Sequence, residues 1–438
     1  MLKKGGKTMI INQKIEIKFD KESSLILDSQ SRMCSKLYNI LLEYCKKEYK
    51  ETGKYKLLTG RNLRDLVVEI KQDHPYLYSV HSSPLKNAAF RLKGAFENYF
   101  KSLKDNSYNF GYPNFHSNKK KWFSLLYDEP NKGIKIENKH IRISLGYKLD
   151  EEDKKIRLYV NGILDERLKQ GTIKTFRITK ELNKYYLIAT IEVSYKPKIR
   201  KENKVISIDP NHTNFFVGID NEGKTIEFGK LYLIKYFDKQ IDKVKSKRDK
   251  CLKKSKTITS KNGTTYNVAS KRFQRLDKAL TKLYLKRKNQ LKTSLFTIAH
   301  KLCDEYTHII IGDYVPTSDL AKYHTMARAM LNQSPIGQFR KILQHVTMKR
   351  GCKFEIVDEA YTTMTCSICG DICLHEPNER EFICPCCHTK LYRDINSAIN
   401  IGVKAKVLSS SDYRGIDLSK PLYTANYNLR KQRISGWN

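Results

Sequence analysis

The run from Ile11 to Phe19 alternates apolar and polar residues and predicts a strand. From Lys21 to Tyr49 the apolar positions return at helical spacing. Leu25, Leu27, Met33, Leu37, Tyr38, Leu41 and Tyr44 form the stripe. Asn62 to Ile70 predicts a second helix and Ser83 to Phe100 a third, with Ser83 as N-cap and Pro84 as first helical residue. Phe110 to Phe115 breaks the pattern as a loop. Short alternating runs then dominate from Trp122 to Tyr195. Strands that resume after a helical interruption predict an N-terminal β-barrel with a helical insertion at about 21–105. The basic, polar stretch Lys196 to Lys204 reads as a linker.

The pattern changes after Lys204. VISIDPNHTNFFVGID reads as strand, turn, strand, and Lys224 to Phe228 as a third strand, making an antiparallel meander. Asp238 to Lys292 is basic and mostly helical, with a break near Gly263. Leu291 to Tyr306 predicts a helix leading into the buried strand His308 to Asp313. Ala321 to Leu331 and Ile336 to Arg350 read as helices, the latter closed by Gly351, and Lys353 to Asp358 as another buried strand. Three strands in meander, then helix, strand, helix, strand and a closing helix is the order of an RNase H-like α/β fold.

Charge narrows the function classes. The 438 residues include 83 Lys and Arg against 46 Asp and Glu, a net charge of +37. That excess predicts a polyanionic partner bound through phosphates in a salt-sensitive way. No apolar run approaches the roughly 20 residues needed to span a bilayer, and the N-terminal MLKKGGKTMIINQK lacks the apolar core of a signal peptide. In the basic segment Lys245, Lys247, Arg248, Arg272 and Arg275 are candidate phosphate contacts, the alternative being a solvated helical hairpin. The 27 tyrosines set among these cations suit base stacking, although many belong to the core.

Six of the 11 cysteines lie between Cys366 and Cys387. The pairs Cys366/Cys369 and Cys384/Cys387 are two CxxC hooks, a spacing that places four thiolates around Zn²⁺. Such a set selects zinc or an iron–sulfur centre over hard cations. Four thiolates leave no open position, so this zinc is structural. Disulfides or inert thiols are the alternative. Cys373 and Cys386 are spare, and His388 is a possible substitute ligand. The scattered Cys34, Cys45, Cys251, Cys303 and Cys352 suit buried thiols of a reducing, intracellular compartment.

VISIDPN, HIIIGDYVP, FEIVDEAYTTMTCSICG and FICPCCHTKLYRDINSAINI together resemble the split RuvC nuclease and zinc ribbon of the TnpB family, the transposon-associated RNA-guided DNA nucleases. The resemblance covers most of the chain and is most specific from 204 to 402. It matches Asp209 to the first family acid and Asp394, in the run Arg393 to Asn400, to the third. The family's usual second acid falls at Gly312, where no side chain can bind metal. Asp313 is the neighbouring position and faces the other way. Glu359 offers a substitute. Its strand is expected beside the one ending at Gly312, about one spacing of 4.8 Å away, and the missing side chain at Gly312 leaves room for it to reach across. This relocated glutamate resembles the Fanzor branch of the family.

The resemblance implies a Mg²⁺-dependent endonuclease with two ions, Asp209 bridging them and Glu359 and Asp394 completing the set. Arg393 would contact phosphate or orient Asp394. A guide RNA from the mobile element would select double-stranded target DNA beside a short flanking motif, one copy of the chain serving each RNA. The implied domains are a wedge-like barrel at 1–200, a RuvC-like part at 201–362 carrying a basic hairpin at 238–292, a zinc ribbon at 363–390, a second RuvC-like part at 391–403 and a tail at 404–438. A nucleus is the expected compartment in a eukaryotic or viral host, the cytoplasm or nucleoid in a bacterium. Two other readings compete: a cleavage-inactive RNA-guided repressor, supported by Gly312, and a zinc-ribbon DNA-binding accessory of transposition.

Overall fold

A computed structural model describes residues 7–105, 110–117, 122–195, 203–260, 263, 265–316, 328, 331–372 and 379–437. Most of the linker expected at Lys196 to Lys204 and most of the helix expected at Ala321 to Leu331 lie outside the described residues, as does Cys373. The chain forms two compact units, Met1–Lys196 and Pro197–Asn438.

The first unit is built on β1 (Lys7–Lys18), β2 (Ser124–Tyr127), β3 (Ile134–Glu137), β4 (His140–Leu149), β5 (Lys155–Leu164), β6 (Thr172–Glu181) and β7 (Lys184–Tyr195). They form one antiparallel sheet in the order β2-β6-β7-β1-β5-β4-β3. Among the described residues β2 and β3 are free edges, so the expected barrel is a half-barrel. Helices α1 (Lys21–Thr52), α2 (Gly60–Asp73) and α3 (Ser82–Lys104) interrupt the sheet after β1, and a single turn, α4 (Pro130–Gly133), follows β2. Leu37, Leu41, Leu92 and Phe96 of the helices share a core with Ile178, Leu187 and Ile191 of the sheet.

Two local expectations change. The α1 stripe is rotated: Leu27, Cys34, Leu37, Leu41 and Cys45 are fully buried, whereas Leu25 and Tyr44 are exposed. The small thiols of Cys34 and Cys45 fit the inner face as apolar groups, which a reading based on large residues passes over. The N-cap of α3 is His81, whose ring nitrogen accepts the Ser83 N–H at 3.1 Å. Imidazole supplies the acceptor that Ser83 was expected to provide.

The second unit holds a seven-stranded sheet in the order β14-β13-β8-β9-β10-β17-β18. Its strands are β8 (Val205–Pro210), β9 (Phe216–Asp220), β10 (Thr225–Phe228), β13 (His308–Gly312), β14 (Lys353–Val357), β17 (Tyr423–Asn428) and β18 (Arg433–Ser435). Strands β8, β13 and β14 run parallel, with Ile208 opposite Ile311 and Gly312 opposite Val357. β14 is an edge strand among the described residues and is only partly buried. The segment expected as a tail is part of the fold: β17 adds to the sheet parallel to β10, and β18 pairs with β17.

Helices cover both faces of this sheet. Ile206, Ile208, Ile309 and Ile311 pack on one side against α5 (Tyr232–Lys253), α6 (Lys271–Glu305) and α7 (Ile336–Arg350). Gly351 closes α7 at φ 73°. Val205, Val217 and Ile310 pack on the other side against Ile395, Ala398 and Ile399 of α8 (Arg393–Lys404). The break near Gly263 is a small hairpin of β11 (Lys256–Thr259) and β12 (Thr265–Val268). A second small hairpin, β15 (Glu381–Ile383) with β16 (Lys390–Tyr392), flanks the second cysteine hook, Cys384 and Cys387, just before α8. No helix among the described residues is long and apolar enough to cross a membrane.

Candidate active site and cysteine cluster

Strand alternation decides which acids can meet. Side chains two residues apart share a face of a strand. Val205 and Ile310 face α8, so Asp209 and Gly312 face it too. Val357 packs on the same side, and Glu359 continues its phase beyond the strand end. Asp313 and Asp358 fall in the opposite phase, and both carboxylates hold backbone. Asp313 Oδ1 accepts the Glu359 N–H at 3.1 Å, and Asp358 Oδ1 accepts the Ala360 N–H at 3.1 Å.

Glu359 lies over the glycine. A Cβ built on Gly312 would sit 1.8 Å from Glu359 Oε1 and 2.4 Å from its Cδ. The carboxylate therefore fills the space in which any side chain at 312 would begin. Its Oε1 is buried and has no hydrogen-bond partner among the described residues. Burial pushes the Glu359 carboxyl up to about 7; the Tyr314 backbone N–H and Arg340 oppose the rise, and Asp313 and Asp358 add to it. Arg340, from the first turns of α7, donates to the Tyr314 carbonyl and so braces the segment beside Glu359.

Asp209 ends β8 and is 6% exposed. Burial, then the charges of Asp394 and Glu359, push its carboxyl well above the ordinary range, against a hydrogen bond from Ser397 and the charge of Arg393. Asp394 is in the first turn of α8 and is buried. Both its oxygens are engaged: Arg393 Nε and Nη2 donate to Oδ1 at 3.2 Å, Arg380 Nη1 donates to Oδ2 at 2.5 Å and Asn211 Nδ2 donates to Oδ2 at 3.0 Å. These contacts suit the orienting role expected of Arg393.

Asn396 and Asn400 fasten the turn after Glu359 onto α8. Asn396 Nδ2 donates to the Thr365 carbonyl at 2.8 Å, and its Oδ1 accepts the Ser367 N–H at 2.7 Å. Asn400 Nδ2 donates to the carbonyls of Thr362 and Thr365 at 2.8 and 2.6 Å. The hydroxyls of Thr362 and Ser397 meet at 2.9 Å. One helix thus carries Asp394 and also fixes the strand exit that carries Glu359.

The cysteine hooks converge. The sulfurs of Cys366, Cys369, Cys384 and Cys387 all lie within 4.8 Å of one another. Cys366 Sγ is 3.7 Å from Cys387 Sγ, and Cys369 Sγ is 3.6 Å from Cys384 Sγ. A tetrahedron with Zn–S of about 2.3 Å has edges of about 3.8 Å, so these thiols fit zinc. Each hook turns back through a residue of positive φ just after its second cysteine, Gly370 at 81° and His388 at 57°. His388 thus serves the turn and is outside the ligand group, and Cys386 is exposed. Among the described residues, no other group of three or more His, Cys, Asp or Glu is as tightly gathered.

The predicted phosphate contacts divide. Lys245, Lys247, Arg272 and Arg275 are exposed on α5 and α6. Arg248 instead bonds to Asp249 and to Asp277 at 3.1 Å, joining the two helices. A purely basic count could not separate it from its neighbours. Sequence reasoning also missed Arg380, Asn211, Ser397 and Arg340. Asn211 was within reach, two residues after Asp209, but the arginines meet the acids only through tertiary packing.

Comparison with known proteins agrees with this arrangement. The family described as Cas12f1-like, TNB domain matches residues 337–401, which include α7, Glu359, the four cysteines and Asp394. The TnpB-like proteins L79 and L770 of Acanthamoeba polyphaga mimivirus are each 26% identical over 231 residues, 52% of this chain. The match covers 42% of each relative, so the chain matches less than half of their length. The Cas12f1 chain in a solved Cas12f1–sgRNA–target DNA complex superposes with a TM-score of 0.59 at 16% identity, covering 88% of this chain and 83% of that one. In sequence this chain is similar to TnpB-like proteins and to the Cas12f1-like TNB domain, and in fold it is similar to a Cas12f1 chain.

Proposed function

We propose that this protein is an RNA-guided DNA endonuclease whose second unit cuts target DNA with Asp209, Glu359 and Asp394. The observation that carries the reading is Glu359 seated over Gly312, with a buried, unpartnered oxygen on the face that also bears Asp209. A buried Glu359 oxygen with no donor, and an Asp209 carboxyl pushed up by burial and by the charges of Asp394 and Glu359, are what a divalent cation would neutralise. These three residues would hold Mg²⁺, two ions in the family pattern. Bound there, the metal would activate water and stabilise the leaving oxygen of a phosphodiester.

The chain's own residues do the rest. Asn211, Arg380 and Arg393 orient the Asp394 carboxylate, and Ser397 ties Asp209 to the turn that carries Glu359. The guanidinium groups of Arg380 and Arg393 are also suited to a phosphate approaching the acids. Zinc on Cys366, Cys369, Cys384 and Cys387 would make residues 363–390 a ribbon, and Arg380 belongs to it. On this reading 201–362 and 391–403 are the two parts of a RuvC-like domain, and 1–200 is a wedge-like unit holding the guide–target duplex and the flanking motif. Lys245, Lys247, Arg272 and Arg275 would contact phosphates. The protein would act inside cells, in the nucleus if its host is eukaryotic.

The repressor reading rested on Gly312 as a lost acid, and a carboxylate in that same space weighs against it. The test is target-DNA cleavage with Mg²⁺ by protein carrying its co-purified RNA, wild type beside Glu359→Ala. Cleavage by wild type only, with binding retained in both, is the expected result. Binding without cleavage by wild type would favour the repressor, and the absence of RNA would favour the transposition accessory.

A further inference from the structure

At the outer end of α5 and α6 stands the hairpin of β11 and β12, with all eight of its strand residues exposed. Its two faces differ. Thr257, Thr259, Thr265 and Asn267 make one of them polar, while Ile258 lies directly across from Tyr266, next to Val268, on the other. These three are 45%, 46% and 41% exposed. A free two-stranded hairpin gains little stability from such a face, so leaving it open to water calls for an occupant.

The surrounding charge identifies the occupant's chemistry. From Lys250 to Leu276 the chain has eight Lys and Arg and no Asp or Glu. The nearest carboxylates on either side, Asp249 and Asp277, are both bonded to Arg248. Lys256 is on the same face as Ile258, and Lys253, Lys254, Lys271, Arg272 and Arg275 are exposed on the segments leading into and out of the hairpin. A flat apolar patch about the size of one base, with uncompensated cations on the adjoining segments, is complementary to a nucleobase flanked by phosphates. Duplex DNA keeps its bases stacked, whereas a folded RNA offers unstacked ones in loops and bulges.

We propose that the Ile258–Tyr266 face of this hairpin stacks on an unpaired base of the RNA that the protein carries. The proposal rests on the RNA-guided reading and adds to it a defined contact far along the chain from the acids.

The test uses the full-length protein and the RNA recovered with it, transcribed and labelled, in equilibrium binding across a salt series. Stacking of one base on an aromatic side chain corresponds to roughly 10- to 100-fold in affinity. Tyr266→Ala should weaken binding by about that factor with an unchanged salt slope, and Tyr266→Phe should bind as wild type. Chemical probing of the RNA should show one or a few unpaired nucleotides exposed in the Ala variant alone. Equal binding and equal probing for Tyr266→Ala and wild type would overturn the proposal and leave the RNA-guided reading standing. A loss seen only with single-stranded DNA would overturn the assignment to RNA. If no RNA accompanies wild type, both readings fall.

Discussion

The carboxylate of Glu359 occupies the space where a side chain on Gly312 would start, with Oε1 1.8 Å from the position of the absent Cβ. No side chain can therefore be added at Gly312 without displacing Glu359. Gly312→Ala should push the Glu359 carboxylate out of place and cut DNA cleavage at least about 100-fold, the scale expected for ångström-level misplacement in an active site. Gly312→Glu alone should be inactive. Gly312→Glu with Glu359→Ala, which returns an acid to β13, should cleave measurably above Glu359→Ala. Cleavage assays at fixed Mg²⁺ decide the matter, and full activity in Gly312→Ala would contradict the geometry.

The same crowding makes stability depend on pH. Glu359 in the folded protein titrates at about 7 instead of the ordinary 4.5. Between those values the native state holds a proton that the unfolded chain has released. The stability linked to that proton is present below pH 4.5 and is lost as pH rises through 7. Without metal, Glu359→Gln should thus raise the Tm at pH 8 and leave it nearly unchanged at pH 4.5. Thermal melts in chelator at the two pH values test the sign. A larger gain at the lower pH would reverse it.

Metal analysis of the purified protein should find one zinc per chain, lost in Cys366→Ser or Cys384→Ser. Arg380 lies beside the hooks and reaches Asp394, so loss of the zinc should abolish cleavage as well as unfold the ribbon. Retained zinc with normal cleavage in Cys384→Ser would remove that residue from the ligand set.

Asn396→Ala leaves the buried Ser367 N–H without its side-chain acceptor, while the Thr365 carbonyl loses one of its two amide donors and keeps Asn400. The stranded N–H costs about 1–3 kcal/mol. The melting temperature should fall by several degrees, and Asn396→Asp should not fully restore it, because a carboxylate cannot donate to the carbonyls. Calorimetry of the two variants makes the comparison.

Arg248 and its neighbours should behave differently in RNA binding. Each lost phosphate contact lowers the salt slope of binding by roughly 0.7–0.9. Lys245→Gln with Lys247→Gln should lower it by nearly two. Arg248→Ala should leave the slope alone and lower thermal stability, since its guanidinium is committed to Asp249 and Asp277. Salt titrations of the variants separate the two roles.

The buried strand runs and the CxxC convergence could be read from one dimension. Short buried runs such as HIIIG, and hooks closed by Gly370 and His388, have local causes that operate within a few residues. The α1 stripe and the α3 cap could not, because thiols pass for spacers and imidazole is seldom counted as a cap. The C-terminal strands were hidden for another reason. β17 is paired by β10, nearly 200 residues away, and Tyr423 to Asn428 carries no strong strand pattern.

The four cysteines stood out from residue type and spacing, since CxxC geometry is a local property of the backbone, whereas Asp209, Glu359 and Asp394 were singled out by the resemblance of their motifs to the TnpB family. The three-dimensional fold decided what each of them touches. It put the Glu359 carboxylate into the gap at Gly312 and turned Asp313 and Asp358 toward backbone. It brought Arg380 and Arg393 onto Asp394 and paired Arg248 with Asp249 and Asp277. Those outcomes depend on close packing between segments far apart in the chain, where a difference of an ångström decides whether a charge finds a partner or is left for a ligand.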